Sequence, residues 1–303
     1  MTVMGKLRFV LAALLLLCCA TGRAAVGRDV ANALQHRIDS LVVGKKMDIG
    51  IAVEYGGNML CRVNAGRRFP MMSVYKLHQA VAIMDSLKCD SKALEEKVWI
   101  TEPMLRKDTY SPLRDEYPDG DVCLFTGALL QYSLGMSDNN ACDILFGMFG
   151  GTDYVNDRMR ELGLSDTQIK WNEEEMHSDT ARCRDNFTTP DDAVRLLNRA
   201  FGCDWLRDAL TGCKTGTGRL PARLPEGTVV GHKTGTGDTT PDSNLHGIND
   251  IGFVFLPDGT HYNIAVFCDN ARMTLQEAEV VIAEVSRLVY DGLTASYDTS
   301  HDR

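Results

Sequence analysis

The sequence has no Cys-x-x-Cys pair, no His-x-His and no His-Glu-x-x-His, and its seven histidines stand singly. No metal-ligand pattern is therefore present, a metal-dependent activity is disfavoured, and no cofactor is expected. Past the N-terminus no apolar run approaches the roughly 20 residues that cross a bilayer, so stable membrane insertion is not expected. Basic residues are in deficit, with 32 Lys and Arg against 41 Asp and Glu. Such a surface repels phosphate backbones and argues against nucleic acid as a partner. Spacers rich in Pro or Gly are missing, and so are repeats of about 20–50 residues.

What is present begins with an export signal. Lys6 and Arg8 precede an apolar run from Phe9 to Leu17, and small residues follow to Ala25. This is the order of a secretory signal peptide over 1–24, with cleavage after Ala24, and it predicts a periplasmic protein. Lipid attachment at Cys18 or Cys19 is the alternative, against which Leu16 and Leu17 are bulky where small residues are wanted. Cleavage would remove Lys6, Arg8 and Arg23 and no acid, leaving 29 basic and 41 acidic residues, a net of −12. Eight cysteines would remain. They read as mostly buried thiols, and their pairing is not legible.

Periodicity gives an α/β (α+β) class. A helix is expected over Asp29–Val43, then a hairpin from "MDIGIAVEY" through "GGN" to "MLCRV". Helical spacing dominates from 73 to 210, clearest in 74–87, 123–134, 140–149, 152–162 and 191–201. Strands return in "TVVGHKTGTG", "DIGFVFLPDG" and "HYNIAVFCDN", and a Thr274-x-x-Glu277 capping box opens a last helix. The expectation is an antiparallel sheet from both chain ends (25–70 and 214–303), flanked by helices, with an all-helical domain (71–213) inserted and the active site at their interface.

Three short motifs carry chemistry only in combination. Ser73-x-x-Lys76 puts a hydroxyl and an amine on one face of a helical first turn, where free N–H groups favour developing negative charge. A buried lysine lowered in pKa serves as a base. Ser137-Asp138-Asn139 lies in a loop between helices. Lys-Thr-Gly-Thr-Gly occurs twice, at 214–218 and 233–237. Neither copy is a phosphate loop, because Cys213 and His232 stand where glycine is needed. Lys233 follows a strand-like Val229-Val230.

With "RFPMMSVYK", "SDN", "TTP" at 188–190, "RLPARLPEG" and "HKTGTG" in this order, the chain resembles the class A serine β-lactamases, closest to a cephalosporin-favouring branch, from about Asp29 to Leu293. The resemblance implies a β-lactamase/transpeptidase-like fold and a monomer that hydrolyses small β-lactams through a serine acyl-enzyme. It implies catalytic roles for Ser73, Lys76, Ser137 and Glu173, the last lying 17 residues before Pro190. Backbone N–H groups of Ser73 and Thr236 would form the oxyanion hole. Asn139, Lys233, Thr234, Gly235 and Thr236 would bind substrate, and Tyr110 would wall the cleft. Lys233 would be the working copy of the repeated motif, with Lys214 a look-alike at a helix end or loop. A peptidoglycan peptidase would not need Glu173, and an antibiotic sensor would carry membrane helices and a signalling module. Departures from the family are Trp171 and Asn186 in place of an ion pair, Met176-His177 after Glu173, Asp143 for an asparagine, and Asn249 for a carboxylate-binding arginine. The expectation is that Asp143 and His177 hydrogen-bond to each other and support the loop.

Overall fold

A computed structural model describes residues 28–237 and 244–301; the expected export signal lies outside them. In chain order the elements are α1 (Arg28–Val42), β1 (Asp48–Tyr55), β2 (Asn58–Val63), β3 (Phe69–Pro70), α2 (Tyr75–Ser86), β4 (Lys97–Thr101), α3 (Pro112–Glu116), β5 (Gly120–Phe125), α4 (Thr126–Gly135), α5 (Asn139–Met148), α6 (Gly151–Glu161), α7 (Glu173–Ser178), β6 (Phe187–Thr188), α8 (Pro190–Phe201), α9 (Asp204–Thr211), β7 (Val230–Gly235), β8 (Ile248–Phe255), β9 (His261–Asp269) and α10 (Leu275–His301). The main sheet has the order β2-β1-β9-β8-β7 and is antiparallel throughout. Both ends of the chain build it, and the block between β3 and β7 is helical apart from a β4–β5 ribbon and the short β3–β6 pair.

The sheet is covered on both faces, which is why "DIGIAVEY" is buried at six successive positions instead of alternating. Ile49, Ile51 and Val53 share one face with Ile264 and Val266, against Leu34 and Ile38 of α1 and Val281 and Ile282 of α10. Ala52, Ile251, Phe253, Ala265 and Phe267 look the other way, into the helical block. Truncating a side chain such as Ile38, which is fully buried, to alanine costs about 2–5 kcal/mol. The helical block meets the sheet through α8. Thr189 caps that helix by accepting from Asp192 N at 3.1 Å, and Pro190 stands at its first position. The Thr274–Glu277 capping box also forms.

One expected helix is corrected at its start. Cys123–Phe125 belong to β5, with Trp99 paired to Cys123 and Val98 to Leu124. Val122 and Leu124 face in while Asp121, Cys123 and Phe125 face out, the period of a strand. The helix begins only at Thr126. Among the described residues no helix is long and apolar enough to cross a membrane.

Candidate active site

The turn that carries Ser73 is clamped before it begins. Met71 N donates to Asn186 O at 2.9 Å, and Asn249 Nδ2 donates to Pro70 O at 2.8 Å and Met71 O at 3.1 Å. Asn249 thus reads the backbone that leads to Ser73 from inside the sheet. Met72 takes a left-handed φ of 47°, and a 3-10 turn over Met72–Val74 starts the helix that α2 continues. Gly235 lets β7 pass this turn closely, since a Cβ there would lie 2.4 Å from Met71 O.

One turn separates Ser73 from Lys76, and Lys76 Nζ donates to Ser73 Oγ at 2.8 Å. The same fully buried ammonium donates to Asn139 Oδ1 at 2.8 Å and forms a short ion pair with Glu173. Burial works against the charge on Lys76, but the carboxylate of Glu173 more than offsets it and holds the pKa above the usual lysine value. The expected lowering of the lysine is corrected accordingly. Lys76 rests charged, and the carboxylate it touches is that of Glu173.

Glu173 opens α7, and that short helix is fixed by its backbone. Asp143 of α5 accepts from Glu173 N and Glu174 N, both at 2.9 Å. Asn172 and Glu175 form a capping box across the same turn. Where the ion pair is missing, Asn186 accepts from Lys170 N at 2.7 Å and Trp171 N at 3.0 Å and donates to Trp171 O at 2.7 Å. The expected bond between Asp143 and His177 is not formed. Both oxygens of Asp143 are taken by main-chain N–H groups, and His177 Nε2 lies 3.4 Å from Asp108.

The opposite wall comes from the loop before α5 and from β7. Asp138 is buried and accepts from Ser111 Oγ, Leu113 N and Ala141 N, at distances of 2.6–3.0 Å. Held this way, Ser137 sits at a φ of 59° and accepts from Lys233 Nζ at 2.9 Å. Burial, with the like charge of Lys76, brings Lys233 down to about 7. Asn139 Nδ2 donates to Thr109 Oγ1 at 2.8 Å. Tyr110 stands exposed beside the cleft, which has a volume of ≈ 790 Å³. Ser73, Ser137, Asn139, Glu173, Thr234 and Thr236 line it.

Sequence reasoning gave no role to Arg219. This buried arginine donates to Thr236 Oγ1 at 2.6 Å, Gly235 O at 2.9 Å and Asn249 O at 2.8 Å, and pairs with Glu279 at 3.1 Å. It brings a guanidinium to the floor of the cleft from the segment before β7, where Asn249 cannot supply one. The two Lys-Thr-Gly-Thr-Gly copies turn out to lie side by side. Thr215 Oγ1 is 2.6 Å from Thr234 Oγ1, so residues 19 apart in sequence touch. Lys233 points at Ser137, whereas Lys214 is exposed and only its backbone N is tied, to Gly135 O at 2.8 Å.

Residues 33–293 match the model of the "Beta-lactamase enzyme family". A β-lactamase of Bacteroides uniformis is 38% identical over 297 residues, covering 95% of this chain and 99% of that one. A solved class A β-lactamase from Bacteroides cellulosilyticus superposes with a TM-score of 0.84 at 36% identity, over 88% of this chain and 99% of its own. The chain belongs to the class A β-lactamases. It is a hydrolase of the β-lactam amide bond, and its helices and antiparallel sheet form the β-lactamase/transpeptidase-like fold. The TLA-1 extended-spectrum β-lactamase is also similar in structure, with a TM-score of 0.83 and 37% identity over 87% of this chain and 99% of that one. The extended-spectrum β-lactamase PER-1 of Pseudomonas aeruginosa is 32% identical over 85% of this chain and 86% of its own. Within this family the site departs from the expected pattern at Asn249, which clamps the backbone before Ser73, and at Asp143, which holds the main chain of Glu173.

Proposed function

We propose that this β-lactamase works through an acyl-enzyme on Ser73, and that cephalosporins are among its substrates. The observation that carries the reading is the single ammonium of Lys76 touching Ser73 Oγ, Asn139 Oδ1 and Glu173 at once. Lys76 passes a proton to Glu173 as it takes the one released by Ser73, and the Ser73 oxygen attacks the lactam carbonyl. The backbone N–H groups of Ser73 and Thr236 stabilise the oxyanion, where one lost donor costs about 3–4 kcal/mol. As the C–N bond breaks, Ser137 protonates the lactam nitrogen and is reprotonated by Lys76, which recovers that proton from Glu173. Glu173, again a carboxylate, then takes a proton from water as that water attacks the ester, which frees Ser73.

Lys233, Thr234, Thr236 and Arg219 hold the substrate carboxylate, Asn139 holds its amide side chain, and Tyr110 covers the mouth of the cleft. The extended-spectrum names of PER-1 and TLA-1 support cephalosporin hydrolysis. Export by residues 1–24 would put the enzyme, as a monomer, in the periplasm, where it meets the antibiotic. Rapid acid quench after mixing with a cephalosporin, followed by peptide mapping, tests the mechanism. The adduct is expected on the Ser73 peptide; turnover with no adduct there, or an adduct elsewhere, contradicts it.

A further inference from the structure

The cleft carries more positive charge than the hydrolytic cycle uses. Among the described residues, the charged ones that line it are Glu173, Arg184 and Arg219. Glu173 is paired with Lys76, and Arg219 reaches Thr236 at the carboxylate-binding floor. Arg184 has no part in the steps above. It stands on the same wall as Glu173, in the stretch between α7 and β6, beside Thr180 and Cys183. Its side chain is held from behind and open in front. Nη1 donates to Asp269 Oδ2 and Nη2 to Asn270 Oδ1, both at 3.1 Å, and 48% of the side chain stays exposed. Asp269 is buried and does not line the cleft. A solute in the cleft therefore meets the guanidinium before the carboxylate that balances it.

His246 completes the cluster. Its Nδ1 donates to Asp269 Oδ1 at 2.8 Å, and its ring meets Arg184. Main chain fixes its place. Gly237 N donates to His246 O at 3.1 Å, and Leu245 and Ala271 exchange two bonds of 2.9 Å. Gly247 turns at a φ of 61° against Met72, where a Cβ would lie 2.4 Å from Met72 Cγ. The neighbouring charges are engaged elsewhere. Asp185 accepts from Lys170 Nζ at 3.1 Å and Trp171 Nε1 at 2.9 Å, and Arg182 lies over the Trp171 ring at 4.5 Å. A planar guanidinium anchored in this way suits a carboxylate.

We propose that Arg184, set by Asp269, Asn270 and His246, is a specificity-determining residue that binds a second carboxylate, one carried by the acylamino side chain of the β-lactam. The inference rests on the proposed function, in which Arg219 and the end of β7 take the ring carboxylate and Asn139 takes the side-chain amide. With the lactam carbonyl at Ser73, the acylamino group then runs along the wall that carries Glu173 and Arg184. A dianionic substrate places one carboxylate at each guanidinium, Arg219 and Arg184. The far carboxylate does not react, so its attraction is the same before and during the chemical steps. It lowers KM and leaves kcat nearly level. Asp269 behind the guanidinium and water in front of it hold the expected preference to about tenfold.

The test compares a cephalosporin whose acylamino side chain ends in a carboxylate with the same compound methylated at that carboxylate. Both are turned over by the natural protein, Arg184→Gln and Arg184→Lys. In the natural protein KM is expected to be about tenfold lower for the acid than for its ester. Arg184→Gln should raise KM for the acid about tenfold, to the level of the ester, and move KM for the ester much less. Arg184→Lys keeps the charge without the planar fork and should retain part of the preference. Equal KM for acid and ester in the natural protein overturns the assignment, and that comparison holds even where a variant does not fold. An equal rise in KM for both compounds in Arg184→Gln also overturns it, and would make Arg184 a structural tie between the segment before β6 and the end of β9. Turnover of the ester separates these results from a failure of the cephalosporin reading. That failure would appear as no turnover of either compound, and the inference would fall with it.

Discussion

Asp143 holds Glu173 by the backbone: its two carboxylate oxygens accept from Glu173 N and Glu174 N at 2.9 Å each, and leave the Glu173 side chain to Lys76. Burial, then the negative charge of Glu173, raises Asp143 to about 7. Asp143→Ala removes two charge-assisted hydrogen bonds, each worth about 1.5–3 kcal/mol. Deacylation is expected to slow at least about tenfold while acylation changes less, since Ser73 and Lys76 stay in place. Single-turnover kinetics separate the two steps. Equal slowing of both would show that Asp143 supports more than the Glu173 loop.

Glu173→Gln keeps the shape of the side chain and removes the base. The variant is expected to release one ring per protein and then stall, with kcat reduced about 10²–10⁴-fold. The stalled species should carry the intact adduct on Ser73, read by mass. Continued turnover at the original rate would place the hydrolytic base elsewhere.

Lys233 gives a pH signature. With its pKa at about 7, the ammonium is present below that pH and lost as pH rises through it. In free enzyme kcat/KM should therefore fall on the alkaline side of about 7. A bound carboxylate stabilises the ammonium, so kcat should stay level to higher pH. Lys233→Arg, always charged, should lose this limb even if its absolute activity is lower. A limb that persists in the arginine variant belongs to another group.

Arg219 reaches Thr236 Oγ1 and the carbonyls of Gly235 and Asn249. Arg219→Ala removes a charge-assisted donor set worth about 1.5–3 kcal/mol, so KM should rise about ten- to a hundredfold with a smaller change in kcat. Lysine offers a point charge without the planar fork and should restore only part of the loss. A fall in kcat with KM unchanged would make Arg219 a structural residue of the strand end.

The sequence pattern carries the sheet, the terminal helices and the placing of Ser73, Lys76, Ser137 and Lys233, because periodic burial and short local motifs set them. It misleads at Cys123–Phe125, where a continuous apolar run fits a helix and a strand alike until a partner such as Val98–Trp99 is known. Asp143 and Arg219 act through bonds to main chain that lies 30 or more residues away or in another strand, as from Asp143 to Glu173 and from Arg219 to Asn249. Spacing carries no sign of such bonds. The pairing of His177 with Asp108 is equally nonlocal. The duplicated Lys-Thr-Gly-Thr-Gly is visible in sequence, but not the fact that its copies touch.

The most direct test of the account is to count rings opened per protein. Purified enzyme without residues 1–24 is mixed with a large excess of a chromogenic cephalosporin, with and without chelator. The account predicts continuous turnover, unchanged by chelator. One ring per protein followed by silence would contradict it, and would mean that Glu173, held where it is by Asp143, does not activate water.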